Sequence, residues 1–393
     1  MFPRKLFPAL VEHLHKPQVT VLTGMRRVGK STALKYLLKQ VKHSNKVYLD
    51  LERAENRYLL NQPNYKDIEI DLDIAGVDIT KPAVIALDEI QLVPQSTSVI
   101  KYLYDTYGTK FIVSGSSSFY IKNKFSESLA GRKRIFELFP LSFAEFVTFK
   151  NGNTDELQKF AQQSFRLPYY LKWKQLYEEF LRYGGFPEVV LAETAEDKRA
   201  YLRDVVNAYI ELDIKLLSDF AASDVLYKLL KLLAVRTGSK LDYSKLASIL
   251  GENRVKIKDY INLLEHTYFV KTVGSYSQNI DRQIAKQPKI YIADTGILQE
   301  LAQVSSGQVF ENAIALQLSA MGSLQFYQKI NGAEIDFILD NTTAIEVKET
   351  PTANDLKQLD DRKKGINLEN RWLVGRHQPA SDFTDFMWGG NLH

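Results

Sequence analysis

The sequence contains no cysteine. That excludes disulfides, thiol catalysis, iron–sulfur clusters and cysteine-ligated zinc, and it fits a reducing cytoplasm. Its histidines, His13, His15, His43, His266, His377 and His393, are scattered, so they spell out no zinc cluster. No apolar run approaches the ~20 residues that span a bilayer. The start, Met1-Phe-Pro-Arg-Lys-Leu6, lacks the apolar stretch of a secretion signal. The expectation is a cytoplasmic protein without a membrane partner. Glycine (20) and proline (12) are too few for a collagen-like or linker-rich chain. The net charge of +4 is too small to point to nucleic acid by itself.

What remains is a chain of 393 residues, 45% hydrophobic and 25% charged. That balance supports a sizeable core, and the length allows two to four domains. Residues 1–150 alternate short apolar β-rich runs with helical stretches. The runs are Val19-Thr-Val-Leu-Thr23, Lys46-Val-Tyr-Leu-Asp-Leu51, Ala83-Val-Ile-Ala-Leu-Asp88, Lys110-Phe-Ile-Val-Ser114 and Arg134-Ile-Phe-Glu-Leu138. Near-continuous apolar strands between helices predict a parallel sheet covered on both faces, a doubly wound α/β fold. Residues 151–223 read as a helical lid or linker broken at Gly184-Gly-Phe-Pro187, 224–296 as helices followed by a short β-ribbon, and 297–393 as a small α/β domain.

Gly24, Met25, Arg26, Arg27, Val28, Gly29, Lys30 and Ser31 fit G-x-x-x-x-G-K-[ST], with a strand before them and a helix opening at Thr32. Such a loop turns backbone N–H groups inward at a helix N-terminus, where phosphate is favoured. Lys30 would reach the β- and γ-phosphates, and Ser31 would offer its hydroxyl to Mg²⁺. The third strand ends in Asp88-Glu89. Asp88 is placed to join Ser31 in the Mg²⁺ shell, and Glu89 to act as general base on the attacking water. The fourth strand runs into Ser114-Gly-Ser116, whose hydroxyls are candidates for contact with the γ-phosphate or the water. Arg132 is a candidate arginine finger on a neighbouring subunit, in a homo-oligomer. A guanine-reading Asn-Lys-x-Asp is missing after Asn123-Lys124, so ATP is the expected substrate.

Leu241 to Gly251 and Asn253 to Leu264 have helix-turn-helix spacing, with Val255, Tyr260, Leu263 and Leu264 as the expected inner stripe. Arg254, Lys256 and Lys258 would face outward towards DNA, with Tyr268–Val273 and Lys289–Ile292 as a wing. Residues 224–290 hold 12 Lys or Arg against 6 Asp or Glu, a basic island in an otherwise slightly acidic chain. Further on, Glu346 and Lys348 share one face of a strand, Asp336 lies on the strand before, and Glu311 lies on the preceding helix. Asp336 and Glu346, helped by Glu311, would hold a second Mg²⁺ or a Mn²⁺, and Lys348 would orient the water or neutralise developing charge.

Gly24 to Ser31, Leu87-Asp-Glu-Ile-Gln91, Ser114-Gly-Ser-Ser117, Leu129-Ala-Gly-Arg132 and Pro140-Leu-Ser-Phe-Ala-Glu-Phe146 together resemble the prokaryotic AAA+-type ATPases with a C-terminal domain of unknown function. The resemblance continues through Gly184-Gly-Phe-Pro-Glu188, Lys289-Ile-Tyr-Ile-Ala-Asp-Thr-Gly296 and Glu334-Ile-Asp-Phe337. It implies an ATP-binding core, a winged helix and a tail similar to PD-(D/E)xK nucleases. The leading expectation is an ATPase acting on or with DNA. The alternatives are a nucleotide-dependent switch that binds a protein partner and carries an inactive nuclease-like domain, and a metal-dependent nuclease gated by ATP.

Overall fold

The computed structural model describes residues 2–115, 129–152, 154–159, 161–214, 222–277, 279–329, 332–366 and 368–392. The chain forms two compact units, Met1–Phe139 with His266–Tyr268, and Pro140–Glu265 with Phe269–His393.

The first unit is built on β1 (Val19–Thr23), β2 (Lys46–Asp50), β3 (Val84–Asp88), β4 (Lys110–Gly115) and β5 (Lys133–Glu137). All pairings are parallel, in the order β2-β3-β4-β1-β5. The central strands β1, β3 and β4 are buried along their whole length, which accounts for their unbroken apolar runs. The helix Lys30–Gln40 follows β1 and buries Ala33, Leu34, Leu37 and Leu38, the spacing of one helical face. β4 lies between β1 and β3, so the loop after β1 and the acids at the end of β3 flank the end of β4.

At the opposite end of these strands, Lys110 donates to the carbonyls of His13 (3.1 Å), Lys16 (2.8 Å) and Gln18 (2.5 Å). It thereby satisfies the end of the helix Phe7–Leu14. Burial holds the Lys110 ammonium down, to about 8. His13 is pushed down to about 4 by burial, then by the charges of Lys110, Arg134 and Lys16, against a raising hydrogen bond from Gln18.

The second unit holds a seven-stranded sheet in the order β12-β11-β10-β9-β8-β6-β7. The strands are β6 (Val270–Ser275), β7 (Lys289–Ile292), β8 (Leu324–Gln328), β9 (Glu334–Leu339), β10 (Thr343–Lys348), β11 (Asn370–Gly375) and β12 (Met387–Trp388). β6 and β7 form the expected antiparallel ribbon, but they do not end as a free wing: β6 also pairs with β8. The sheet is therefore continuous across residue 296. The β9–β10 hairpin turns at Asp340 and Asn341, both left-handed, and its strands are antiparallel.

The helices Tyr243–Leu250 and Arg254–His266 fall where the helix-turn-helix spacing puts them, with left-handed Gly251 closing the first. The inner stripe differs. It is Ile257, Tyr260, Ile261 and Leu264, and Val255 points outward at 69% exposure. A stripe phased on Ile257 and Ile261 leaves 255 on the opposite side of a 3.6-residue turn.

Two motifs of the second unit close on each other. Asp294 caps the helix Thr295–Leu301, accepting from Gly296 N (2.8 Å) and Ile297 N (3.1 Å), and also accepts from Gly185 N (2.7 Å). Gly184, with φ of 75°, lies so close that a Cβ there would overlap the Asp294 carboxylate. Burial raises the Asp294 carboxyl to about 6 against these three donors.

Candidate functional site: a phosphate loop flanked by two acids

Gly24 begins the loop with φ of 149°, and a Cβ there would lie 2.1 Å from the Leu138 carbonyl oxygen. Glycine is therefore dictated by space as well as by conformation. Lys30 is the first residue of the following helix and is almost wholly buried. Its ammonium donates to the Gly24 carbonyl (3.0 Å) and the Met25 carbonyl (2.8 Å), and lies 3.8 Å from Glu89 Oε1. Met25 and Val28 pack inward, Arg26 faces Glu52 at 3.6 Å, and Arg27 is exposed in a left-handed conformation. Thr32 is exposed.

Both oxygens of Asp88 are engaged. Ser114 Oγ donates to Oδ1, and Tyr48 OH donates to Oδ2 at 2.5 Å. Ser114 Oγ in turn accepts from Glu89 N at 3.2 Å. Glu89 is left-handed, with φ of 57°, a costly conformation for a residue with a side chain. Its Oε2 accepts from the Gln91 side chain. The Tyr48 phenol is pushed well above its usual range by burial and then by Asp88, while Ser31 draws it the other way. Ser31 and Asp88 thus meet around one phenol.

Lys30, Ser31, Asp88, Glu89 and Ser114 are therefore brought together. Ser116 lies outside the described residues. Arg132 is not brought to the loop. Val19 N donates to its carbonyl, so it precedes β1 and β5, whereas the loop follows β1 about 16 Å further along. Its side chain is half exposed and pairs with Asp105 at 2.8 Å.

Two residues of this site are not visible as motif members: Tyr48 and Arg4. Arg4 is buried and donates to the Val28 carbonyl (3.0 Å) and the Phe139 carbonyl (2.8 Å), tying the phosphate loop to the strand exit. Tyr48 depends on the β2–β3 register, which pairs Asp50 with Asp88 and which no spacing encodes.

The acids of the second unit are also close together, but each is already engaged. Glu346 Oε1 accepts from Arg362 (2.6 Å) and Lys348 (2.8 Å). Glu311 Oε1 accepts from Tyr291 OH (2.8 Å) and lies 3.7 Å from Lys289, which also pairs with Glu334. Asp336 Oδ2 accepts from Val347 N (2.8 Å). Burial, then Glu346 and Glu311, raise the Asp336 carboxyl to about 7, while Lys289 works against them. Among the described residues, no three His, Asp or Glu side chains are arranged to hold a metal ion. In the expected trio of Glu311, Asp336 and Glu346, one oxygen of each acid is held by lysine, arginine, tyrosine or backbone donors.

A parallel sheet with a glycine-bounded loop and buried lysine after one strand, and an Asp-Glu pair two strands away, defines a P-loop nucleotide-binding domain of the AAA type. Residues 16–147 match the family model of an AAA domain. Residues 306–388 match a domain of unknown function (DUF4143), and 174–308 match another (DUF8612). An uncharacterized protein of Methanocaldococcus jannaschii is 25% identical over 90% of this chain and 80% of its own. One of Haemophilus influenzae is 24% identical over 90% and 89%, and one of Mycobacterium tuberculosis 24% over 94% and 79%. Among solved structures, ORC1 of Aeropyrum pernix in complex with DNA has a TM-score of 0.32 at 11% identity, covering 75% of this chain and 90% of that one. The RuvB Holliday junction branch migration motor of Thermotoga maritima has a TM-score of 0.33 at 14% identity, covering 69% and 89%. Residues 16–147 thus match an AAA domain on a P-loop fold, and residues 306–388 match a domain of unknown function. No helix among the described residues is long and apolar enough to cross a membrane.

Proposed function

We propose that the chain binds and hydrolyses ATP and couples nucleotide state to DNA. The observation that carries the ATPase reading is the convergence of Lys30, Asp88, Glu89 and Ser114 at one end of β1, β3 and β4. The β- and γ-phosphates compete with the Gly24 and Met25 carbonyls for the Lys30 ammonium, and the loop N–H groups take the remaining oxygens. Ser31 and Asp88 would hold Mg²⁺, which supplies neutralisation of charge on the phosphate oxygens. Glu89, turned by its left-handed backbone and steadied by Gln91, accepts the proton of the attacking water. Ser114 couples the two acids through the Asp88 carboxylate and the Glu89 amide.

The DNA reading rests on the surplus of six positive charges over residues 224–290 and on the helix Arg254–His266. Arg254 and Lys258, one turn apart, are exposed, while Lys256 is tied to Glu252 at 2.8 Å. In this reading residues 151–223 are a helical lid and 224–296 present the basic helix. A protein partner is favoured by a different observation. Val255 and Ile249, on either side of the turn 251–253, are 69% and 51% exposed. A panel of duplex, branched and single-stranded DNA, read by ATP turnover, separates the two. Stimulation that fades with added salt and is lost in Arg254→Ala/Lys258→Ala supports DNA. Turnover indifferent to every nucleic acid removes it and leaves the partner-binding switch.

A further inference from the structure

The resemblance of the tail to PD-(D/E)xK nucleases implies a divalent metal at Glu311, Asp336 and Glu346, and the side chains present do not fit one. A metal site needs carboxylate oxygens turned to a common point and free of competing cations. Here Arg362, from the helix Ala353–Lys363, reaches Glu346 Oε1 at 2.6 Å, and Lys348 reaches the same oxygen at 2.8 Å. Lys289, from β7, sits between Glu311 and Glu334 with its side chain 5% exposed. Four carboxylates thus face three cations from different elements. Glu346 Oε2 is buried without a hydrogen-bond partner. One oxygen is not a metal site, but it marks where a ligand oxygen would stand if the guanidinium were withdrawn.

We propose that this cluster is neutralised from within: Arg362, with Lys289 and Lys348, takes the place of the metal, so the C-terminal unit as folded neither holds a divalent ion nor cuts nucleic acid. Two of the three cations come from positions a nuclease motif does not include. Lys289 lies on the ribbon that joins the sheet through β6, and Arg362 lies one helix beyond Lys348. An arginine is suited to the role because its charge is permanent and its planar fork matches a carboxylate. The inference is independent of ATP hydrolysis and of DNA binding, since it concerns only whether metal chemistry resides in this cluster.

The experiment is a Mn²⁺ titration followed by electron paramagnetic resonance on full-length, nucleotide-free protein carrying Asp88→Asn, which removes the ATPase metal ligand. The parent and an Arg362→Lys variant should show no tight Mn²⁺ site up to millimolar metal. Arg362→Ala should gain one, and Arg362→Ala/Glu346→Gln should lose it again. Thermal melting establishes that each variant is folded, and Arg362→Gln serves as a second neutral variant if Arg362→Ala is not. A Mn²⁺ site already present in the parent and abolished by Glu346→Gln overturns the proposal. So does plasmid cleavage by wild-type protein that Lys348→Ala or Glu346→Gln abolishes. If the folded neutral variants gain no site, Arg362 is not what excludes the metal, and the proposal fails there too.

Discussion

Glu89 combines three constraints in one residue. Its backbone is left-handed, its amide is tied to Ser114, and its carboxylate is shared between Gln91 and the neighbourhood of Lys30. Such strain persists where surrounding bonds over-determine it, as functional sites do. Glu89→Gln should therefore leave nucleotide binding nearly intact and slow turnover by about 10²–10⁴-fold, the range for loss of a general base. Wild-type turnover in that variant would remove Glu89 from the chemistry. Tyr48 has a different role. It holds one oxygen of Asp88, the proposed metal ligand, and such supporting donors commonly shift metal affinity by about tenfold or more. Tyr48→Phe should raise the Mg²⁺ concentration needed for half-maximal turnover with a smaller effect at saturating Mg²⁺. An unchanged Mg²⁺ dependence would make the phenol a packing group. His13 belongs at this scale too. Its folded pKa of about 4 lies below the ordinary 6.5, so the unfolded chain takes up a proton that the folded one refuses. Stability should therefore decline as pH falls from 6.5 towards 4. His13→Gln should flatten that part of a stability–pH curve measured by denaturant.

At the scale of elements, the loop and the strands divide the work. The strands of the first unit are legible in sequence because burial on both faces makes them apolar throughout, and the observed β1 and β3 agree with the expected runs to within a residue. The glycines and Lys30 are legible because a phosphate cradle demands those types at that spacing. Register is not legible, and Tyr48 and the Glu346–Arg362 pair depend on register or on helix placement. The phase error at Val255 has the same origin, since a short helix offers two apolar faces and tertiary packing selects one. Arg132 shows what a motif without topology leaves open: strand direction puts it at the end of the sheet opposite its own loop, so any finger role is towards a neighbouring subunit's nucleotide. The cap at Asp294 gives a prediction of its own. Asp294→Ala leaves three backbone donors buried and unmatched, and should cost about 2–4 kcal/mol in thermal or denaturant unfolding. A change below 1 kcal/mol would mean that the two glycine motifs are not held by this residue.

At the scale of the molecule, charge is distributed unevenly between tasks. The first unit gathers its buried lysine and acids around the glycine-bounded loop. The second carries the basic island and, within the same compact body, a cluster of acids already matched by cations. Motifs pointed to Lys30, Ser31, Asp88, Glu89 and Ser114, which the fold brings together, because they lie on one contiguous loop and two neighbouring strand ends. In the tail they pointed to Glu311, Asp336, Glu346 and Lys348 but not to Lys289 and Arg362, the cations from β7 and a later helix that pair with these acids. Doubling the salt should weaken any DNA stimulation of turnover while leaving basal turnover nearly unchanged, since a buried Lys30 is screened far less than exposed Arg254 and Lys258. Equal salt sensitivity of both rates would argue that the basic helix takes no part.

The sheet that runs unbroken from β7 to β12 has a consequence for anyone dividing this chain. A fragment begun at residue 297 would leave β8 with a naked flank and would strand Glu311 and Glu334 without their lysine. Such a piece invites edge-to-edge clumping in the test tube. The acidic tail and the ribbon upstream of it therefore belong in a single fragment.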